Sequence, residues 1–287
     1  MSTPSHSVTV NCIEYSSLHR NCPVAGGPYV PSRIHAGRTR RPPPRRPCRQ
    51  LLPDRGPDGL VLVEAGTPAH LDQLRGLLAT LGHSVADVRA VLLTHGHADH
   101  TGLARPLQEA GADLWIHERD AAILRDGPRS GTRHAKPERS MLPYLLRRPS
   151  ALAVPLRLAR DGAFTAPGVA GARVFDADLV LKDVPGAPQA VVLPGHTPGS
   201  TAYVFPGRGL LFTGDALVTA DGFTDRVGPT IVSRCFTHDS RAALAALDRL
   251  DELTADPTTE LLLPGHGEPF AGDIRTATRL ARRFGAH

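Results

Sequence analysis

The chain of 287 residues is 41% hydrophobic and carries 33 Lys and Arg against 28 Asp and Glu. This length allows one large hydrophobic core or two modest ones, and because no run of about eighteen or more apolar residues occurs, we expect neither a membrane span nor a membrane partner. The N-terminus lacks the basic start, apolar block and small-residue cleavage site of a secretory signal, so we expect a cytoplasmic protein.

The first 55 residues form an irregular, basic segment that is rich in Pro and Arg. They hold nine Arg against Glu14 and Asp54, a net charge of +7, whereas the remaining 24 basic and 26 acidic residues give −2. Because the excess is confined to this segment, we do not expect the folded part to bind nucleic acid. Three of the four cysteines also lie in this segment, and without a CxxC pair they indicate neither a zinc knuckle nor a disulfide framework.

From residue 59 onward, apolar runs alternate with amphipathic stretches. Strands are predicted at residues 59–64, 88–94, 113–117, 189–194, 201–205, 209–213 and 260–265. Helices are predicted at residues 66–82, 102–112, 240–253 and 272–285. This alternation predicts an α/β fold in which sheet is covered by helices.

Four of the apolar runs end in residues of the types that bind metal ions. These residues are His95, His97, Asp99 and His100 after the first run, His196 after the second, Asp215 after the third and His266 after the fourth. A single histidine after a strand is usually a loop residue without a metal, but seven such groups at matching positions are not expected by chance. Strands whose carboxyl ends lie side by side would bring all seven into one cleft.

The seven groups predict a dinuclear metal centre. Imidazole and carboxylate suit zinc, manganese or iron, and no cysteine stands near them in the sequence. Five His and two Asp exceed the needs of one four-coordinate ion, so we expect two Zn²⁺, with Mn or Fe as alternatives, about 3.5 to 4 Å apart. Two ions lower the pKa of a bridging water and supply a hydroxide nucleophile, so metal-assisted hydrolysis of a small-molecule substrate is the predicted reaction class.

The motifs THGHADH, PGHTPGS, FTGDA and PGHGEP resemble those of the metallo-β-lactamase-fold hydrolases, and the resemblance covers about residues 59–270. It implies a four-layer αββα sandwich with the site at one edge of the paired sheets. It also implies that one ion is held by His95, His97 and His196, the other by Asp99, His100 and His266. Asp215 would bridge the two ions, and we expect Asp99 and Asp215 to act in catalysis.

Three features bear on the substrate. A bridging Asp215 resembles glyoxalase II, lactonase and phosphodiesterase members, whereas the β-lactamases lack it. His97 stands where oxygen-reducing di-iron relatives place Glu, which favours hydrolysis. The Gly-Cys-Gly-Arg segment of glyoxalase II is absent after Asp215. We therefore expect cleavage of a small ester, thioester or lactone; the alternatives are a phosphodiesterase, a nucleic-acid-associated member of the fold, or an inactive relic.

A helical, Arg- and Leu-rich insertion at about residues 119–160 is predicted to form a lid on a hydrolase domain that spans residues 56–287. In this interpretation Met141, Tyr144 and Phe223 line a substrate pocket, where apolar side chains hold an acyl chain. The alternative is that these are ordinary packing helices with solvated arginines.

Three further residues, Glu64, His117 and His238, could also contribute to a metal site. Glu64 stands where many relatives carry Asp, and we expect it to contact a metal ligand; the alternative is a plain carboxylate at a strand end. His117 and His238 are expected not to bind metal, because the seven-ligand set is complete without them.

Residues 1–55 depart from the pattern of the resembled family, whose members begin with two strands. The Pro and Arg density of residues 37–55 argues against any sheet strand there. One hypothesis is a frameshift, because one permitted codon choice for CRQLLPDR read one nucleotide later gives Ala-Gly-Asn-Tyr-Phe-Leu-Thr. The alternative is a disordered basic arm that touches nucleic acid or an acidic partner.

Overall fold

Two six-stranded β-sheets face each other in the computed structural model, which describes residues 11–12, 50–52, 59–253 and 261–287. The strands of the described residues are β1 (Asn11–Cys12), β2 (Gln50–Leu52), β3 (Leu60–Val63), β4 (Val88–Leu92), β5 (Asp113–His117), β6 (Arg173–Phe175), β7 (Leu179–Val180), β8 (Gln189–Val192), β9 (Thr201–Phe205), β10 (Leu210–Gly214), β11 (Val218–Asp221), β12 (Arg226–Thr230), β13 (Leu261–Pro264) and β14 (Phe270–Ala271). Their α-helices are α1 (Leu71–Thr80), α2 (Ala104–Glu109), α3 (Glu118–Asp126), α4 (Gly131–His134), α5 (Leu142–Arg147), α6 (Ala153–Arg160), α7 (Ser240–Leu253) and α8 (Ile274–Phe284).

The first sheet runs in the order β1-β2-β3-β4-β5-β6, and β3 to β6 are parallel. The second sheet runs β14-β13-β10-β9-β8-β7; β9 is antiparallel to both of its neighbours, β8 and β10, and β13 is parallel to β10. A separate hairpin pairs β11 with β12.

Alternation along the strands divides the interior into three layers of side chains. On β3, Val61 and Val63 point into the inner core between the two sheets, whereas Leu60 and Leu62 point outward to the helices. The same alternation on the second sheet sends Tyr203 inward. Full burial of such a side chain stabilises the fold by about 1.5–3 kcal/mol relative to its exposure.

Helices cover the outer face of each sheet. Helices α1 and α2 pack Leu74, Leu78 and Leu107 on the first sheet. Helices α7 and α8 pack Leu247 and Ala277, among others, on the second. The predicted four-layer αββα sandwich is therefore confirmed.

The prediction that residues 37–55 form no sheet strand is wrong at one place. Gln50–Leu52 pairs antiparallel with β3, with Leu51 opposite Leu62. Residues 50–52 include no proline, so their backbone N–H groups can form hydrogen bonds with the free edge of β3. Residues 1–10, 13–49 and 53–58 lie outside the described residues, and the frameshift and basic-arm hypotheses stay predictions.

The β11–β12 hairpin was not predicted. Its strands are short, and the alternation of apolar and polar residues is interrupted by Gly228 and by Asp225, which has a positive φ of 61°. The predicted helical character of residues 119–160 is confirmed by α3 to α6. None of the helices in the described ranges is long and apolar enough to cross a membrane.

Strand direction brings the ligand-bearing loops together. Strands β8, β10 and β13 point the same way, so the residues that follow them emerge at one edge of the second sheet. His196 follows β8, Asp215 follows β10 and His266 follows β13. The loop after β4 carries His95 and leaves the first sheet at the same edge, since His95 Nε2 lies 4.0 Å from Asp215 Oδ2.

Candidate metal centre

The seven predicted ligands lie in one cluster, in which two groups of three flank Asp215, and Glu64 forms a third, overlapping group with His95 and His100. The ligand atoms within each group lie within 4.8 Å of one another. The first ligand group is His95, His97 and His196, and the second ligand group is Asp99, His100 and His266. The facing nitrogens of His97 and His196, Nδ1 and Nε2, are 2.8 Å apart.

Asp215 lies between the two ligand groups. Its Oδ2 is 3.4 Å from His196 Nε2 and 4.0 Å from His95 Nε2, both in the first group. On the other side, Oδ2 is 3.2 Å from His266 Nε2 and Oδ1 is 3.6 Å from His100 Nε2. One carboxylate thus faces both groups, as a bridging ligand must.

The donor atoms of the cluster fit metal ions. His95 Nε2, His100 Nε2 and Asp215 Oδ1 are buried and have no hydrogen-bond partner within the protein. Buried polar atoms without partners are costly and rare in native proteins. Cations bound among these atoms would satisfy all three. Gly265 keeps the space free, because a Cβ there would overlap Asp215 Oδ1.

The histidines of the first ligand group are poised as neutral ligands. Burial lowers the pKa of His95 and of His97, and burial together with the neighbouring His97 lowers that of His196 to about 3. Neutral imidazole has a lone pair for a metal ion, whereas imidazolium has none.

Nearby negative charges raise the pKa values of the histidines in the second ligand group. Burial disfavours the imidazolium of His100, but the charges of Glu64, Asp99 and Asp215 outweigh it and raise its pKa to about 9. The pKa of His266 also lies well above its ordinary value, because Asp215 and Asp99 together outweigh the effect of burial. Without an ion, protons therefore neutralise this group, and a bound cation would replace them.

Glu64 contacts one of the predicted ligand histidines, as expected from the sequence. Its Oε2 is 3.0 Å from His100 Nδ1, and its Oε1 accepts hydrogen bonds from the backbone N–H and the hydroxyl of Thr94. The Thr94 hydroxyl in turn lies 3.0 Å from His95 Nδ1. Glu64 adopts a positive φ of 72°, a conformation that is strained for this residue type and typical of functional sites.

We predict that Glu64→Gln weakens binding of an ion by the second ligand group about 10- to 100-fold. The glutamine oxygen would stay with the Thr94 donors, and its NH₂ would then face His100 Nδ1. That arrangement favours the tautomer with the proton on Nε2, the atom that must ligate. Competition titration against a chromophoric chelator measures the affinity.

Glu64→Asp is the matched control, because it keeps a carboxylate opposite His100. It should retain most of the affinity. Equal affinity in Glu64→Gln and the unchanged protein would contradict the role of Glu64.

Sequence reasoning missed Asp120, which lies in the first turn of α3 and is fully buried. Its carboxylate accepts hydrogen bonds from the backbone of Gly96 and Gly199 and from the hydroxyl of Thr197. These donors flank the ligands of the first group. An acidic residue in the first turn of a helix is common, so nothing in the sequence singled it out.

The two additional histidines have other partners. His117 Nδ1 accepts the backbone N–H of Arg119, and its Nε2 lies 3.3 Å from the carbonyl oxygen of Asp176. His238 Nδ1 faces the carbonyl oxygen of Lys136 at 2.9 Å. Neither belongs to a ligand group.

Two of the three predicted pocket residues, Tyr144 and Phe223, lie in a separate apolar cluster. Phe223 is buried against Cys235, and Tyr144 packs on it with ring centroids 6.3 Å apart. The Tyr144 hydroxyl donates a hydrogen bond to the carbonyl oxygen of His287 at 2.7 Å. Met141, which precedes α5, is 39% exposed. The structure brings Tyr144 and Phe223 together, and a role of the three in substrate binding stays a prediction.

Comparison with known proteins gives a consistent family. The family model described as the Metallo-beta-lactamase superfamily matches residues 54–266. The chain is 27% identical over 213 residues to Metallo-beta-lactamase domain-containing protein 1 of Xenopus laevis, which covers 73% of this chain and 67% of that protein. It is 25% identical over 240 residues to Probable metallo-hydrolase YflN of Bacillus subtilis (strain 168), covering 79% and 83% of the two chains.

Among solved structures, the chain is similar to TTHA1623 in a di-iron-bound form. The TM-score is 0.55 and the identity is 25%, over 82% of this chain and 94% of that chain.

Proposed function

The chain belongs to the metallo-beta-lactamase superfamily, and from this premise we propose that it is a dinuclear metal-dependent hydrolase that cleaves a small ester, thioester or lactone. The observation that carries the proposal is the position of Asp215, whose carboxylate faces His196 on one side and His266 on the other at 3.4 and 3.2 Å. The name of the Bacillus relative, a probable metallo-hydrolase, supports the reaction class.

We propose that the first ligand group and Asp215 hold one ion, and that the second ligand group and Asp215 hold the other. The unpartnered Nε2 atoms of His95 and His100 support one ion on each side of the carboxylate. Two ions bound here would supply a water of lowered pKa and polarise an oxygen of the substrate.

The protein's own residues contribute orientation and charge. Asp215 is 5% exposed and Asp99 is 14% exposed, so their charges are screened less than those of surface carboxylates. Burial opposes ionisation of both carboxyls, but His100 and His266 hold their pKa values well below the ordinary range. Both are therefore carboxylates at neutral pH, available to bind cations and to compensate positive charge.

The donor set favours zinc, with manganese and iron as alternatives. The cluster offers imidazole and carboxylate only, and Cys235 is buried in the separate apolar cluster of Phe223. The di-iron form of TTHA1623 supports the alternative. His97, in place of a glutamate, favours the hydrolytic use of the centre.

We propose residues 119–160 as the lid that selects the substrate. Leu142 and Leu146 stand one turn apart on α5, and Leu152 and Leu156 have the same spacing around the start of α6; all four are exposed. Exposed leucines at this spacing suit an apolar substituent on the substrate. Since the Tyr144 hydroxyl is held by His287, Tyr144 would offer its ring to the substrate.

We predict about two transition-metal ions per chain, with zinc dominant, in protein purified without chelator. Each of the two ligand groups offers three ligands, and the shared Asp215 carboxylate adds a fourth for each ion. Elemental analysis measures the ratio. Uptake of a single ion at saturation would contradict the dinuclear site.

The function is tested by turnover of metal-replete protein on matched panels of esters, thioesters, lactones and phosphodiesters. We expect hydrolysis in the first three panels and its loss on chelation. Turnover confined to phosphodiesters would contradict the proposed bond type, and no turnover in any panel would contradict the proposed function.

A further inference from the structure

Asp120 joins the two loops that carry the first ligand group. Its Oδ2 accepts a hydrogen bond from the backbone N–H of Gly96 at 2.8 Å and from the Thr197 hydroxyl at 2.7 Å. Its Oδ1 accepts from the backbone N–H of Gly199 at 2.8 Å. Gly96 separates His95 from His97, and Thr197 directly follows His196.

The backbone around Asp120 is built for this close approach. A Cβ at Gly199 would lie 2.7 Å from Asp120 Oδ1, and a Cβ at Gly96 would lie 2.9 Å from the Cβ of Ile123 on the same helix. Both distances are shorter than side chains tolerate. Two loops from different sheets can therefore reach the first turn of α3 only because they present glycine there.

We propose that Asp120 is a positioning residue of the first metal site, whose carboxylate fixes the spacing between the His95–His97 loop and the His196 loop. This inference rests on the proposed function, because it assumes that the first ligand group binds an ion. Asp120 makes no hydrogen bond to a ligand atom among the described contacts; it holds the loops that carry the ligands, and its charge also acts on His97.

A carboxylate suits this position better than an amide. It accepts at both oxygens, and all three of its partners here are donors. An asparagine has one accepting oxygen and one donating nitrogen. Whichever way it is oriented, its NH₂ would face the backbone N–H of either Gly96 or Gly199, and the hydrogen bond to that loop would be lost.

The second ligand group has a different support. His100 is contacted by Glu64, and Asp215 and His266 emerge from β10 and β13. None of these three donates a hydrogen bond to Asp120 among the described contacts. Loss of the Asp120 carboxylate should therefore act selectively on the first site.

The test compares cobalt(II) titrations of Asp120→Asn, the unchanged protein and Glu118→Gln. Glu118 is an exposed carboxylate in the same turn of α3, so its replacement controls for charge and helix effects. The visible spectra of His97→Ala and His266→Ala identify the bands of the second and the first site, respectively. We expect Asp120→Asn to weaken binding at the first site about 10- to 100-fold and to leave the second site within about twofold of Glu118→Gln.

Equal affinities of Asp120→Asn and Glu118→Gln at the first site would overturn the inference, as would an equal loss at both sites. If Asp120→Asn does not fold, as judged by circular dichroism, Thr197→Val decides by the same readout, since it removes the hydroxyl that joins the His196 loop to Asp120 and to Ser200 of the same loop. A selective loss at the first site in Thr197→Val supports the inference, and an unchanged titration overturns it. Failure of the unchanged protein to bind cobalt would instead refute the proposed function.

Discussion

Replacing Asp215 by alanine should lower kcat by about a hundredfold or more while KM changes far less. The carboxylate faces both ligand groups, so its loss removes one ligand from each proposed ion and lets their separation shift. An interaction that holds the reacting centre in the transition state affects turnover more than substrate binding. Steady-state kinetics on the best substrate of the panels, with elemental analysis of the same sample, measures the effect.

Two further variants sharpen this prediction. Asp215→Asn keeps the shape and loses the charge, so its kcat should fall between those of the unchanged protein and Asp215→Ala. Asp183→Ala removes an exposed carboxylate and should leave kcat unaltered. If both Asp215 variants keep two metals and near-normal turnover, Asp215 is only a turn residue and the proposed mechanism is wrong.

The metal-free protein should lose stability as the pH rises from about 6.5 to about 9. Burial disfavours the charged form of His100, yet Glu64, Asp99 and Asp215 raise its pKa from 6.5 to about 9. The folded state then keeps a proton that the unfolded state releases, so the stabilisation is complete below pH 6.5 and disappears as the pH approaches 9. The loss from this buried group is about 3 kcal/mol, at about 1.4 kcal/mol per pH unit, and His266 acts in the same direction.

Metal-loaded protein should not show this loss. Ligating histidines carry no proton on the ligating nitrogen, so the stability of the loaded protein should rise as the unfolded chain releases its histidine protons around pH 6.5 and then level off. Urea unfolding at pH values below 6.5 and near 9, with and without chelator, measures both slopes. Stability of the metal-free protein that stays constant or rises over this interval would contradict the prediction, and Glu64→Gln should reduce the slope.

The sequence alone determined the fold class and predicted the candidate ligand set. Each ligand directly follows an apolar run, and in a sheet of this kind apolar runs become strands whose carboxyl ends share an edge. His95, His196, Asp215 and His266 could therefore be assigned to one cluster before any contact was known. The motif resemblance added the four-layer architecture, which the paired sheets confirm.

Only the tertiary structure decided which residues support the ligands. Asp120 and Gly199 are separated by many residues and meet across two elements, and such a contact leaves no periodic signal in the chain. The short strand Gln50–Leu52 likewise depends on the free edge of β3, which outweighs the unfavourable composition around it. The direction of a side chain cannot be predicted from the local sequence pattern either. The Tyr144 hydroxyl donates to the carbonyl oxygen of His287, a residue far away in the sequence. Local periodicity encodes which residues stand at strand ends, whereas partners distant in the chain are chosen by packing and by the need to pair every buried polar group.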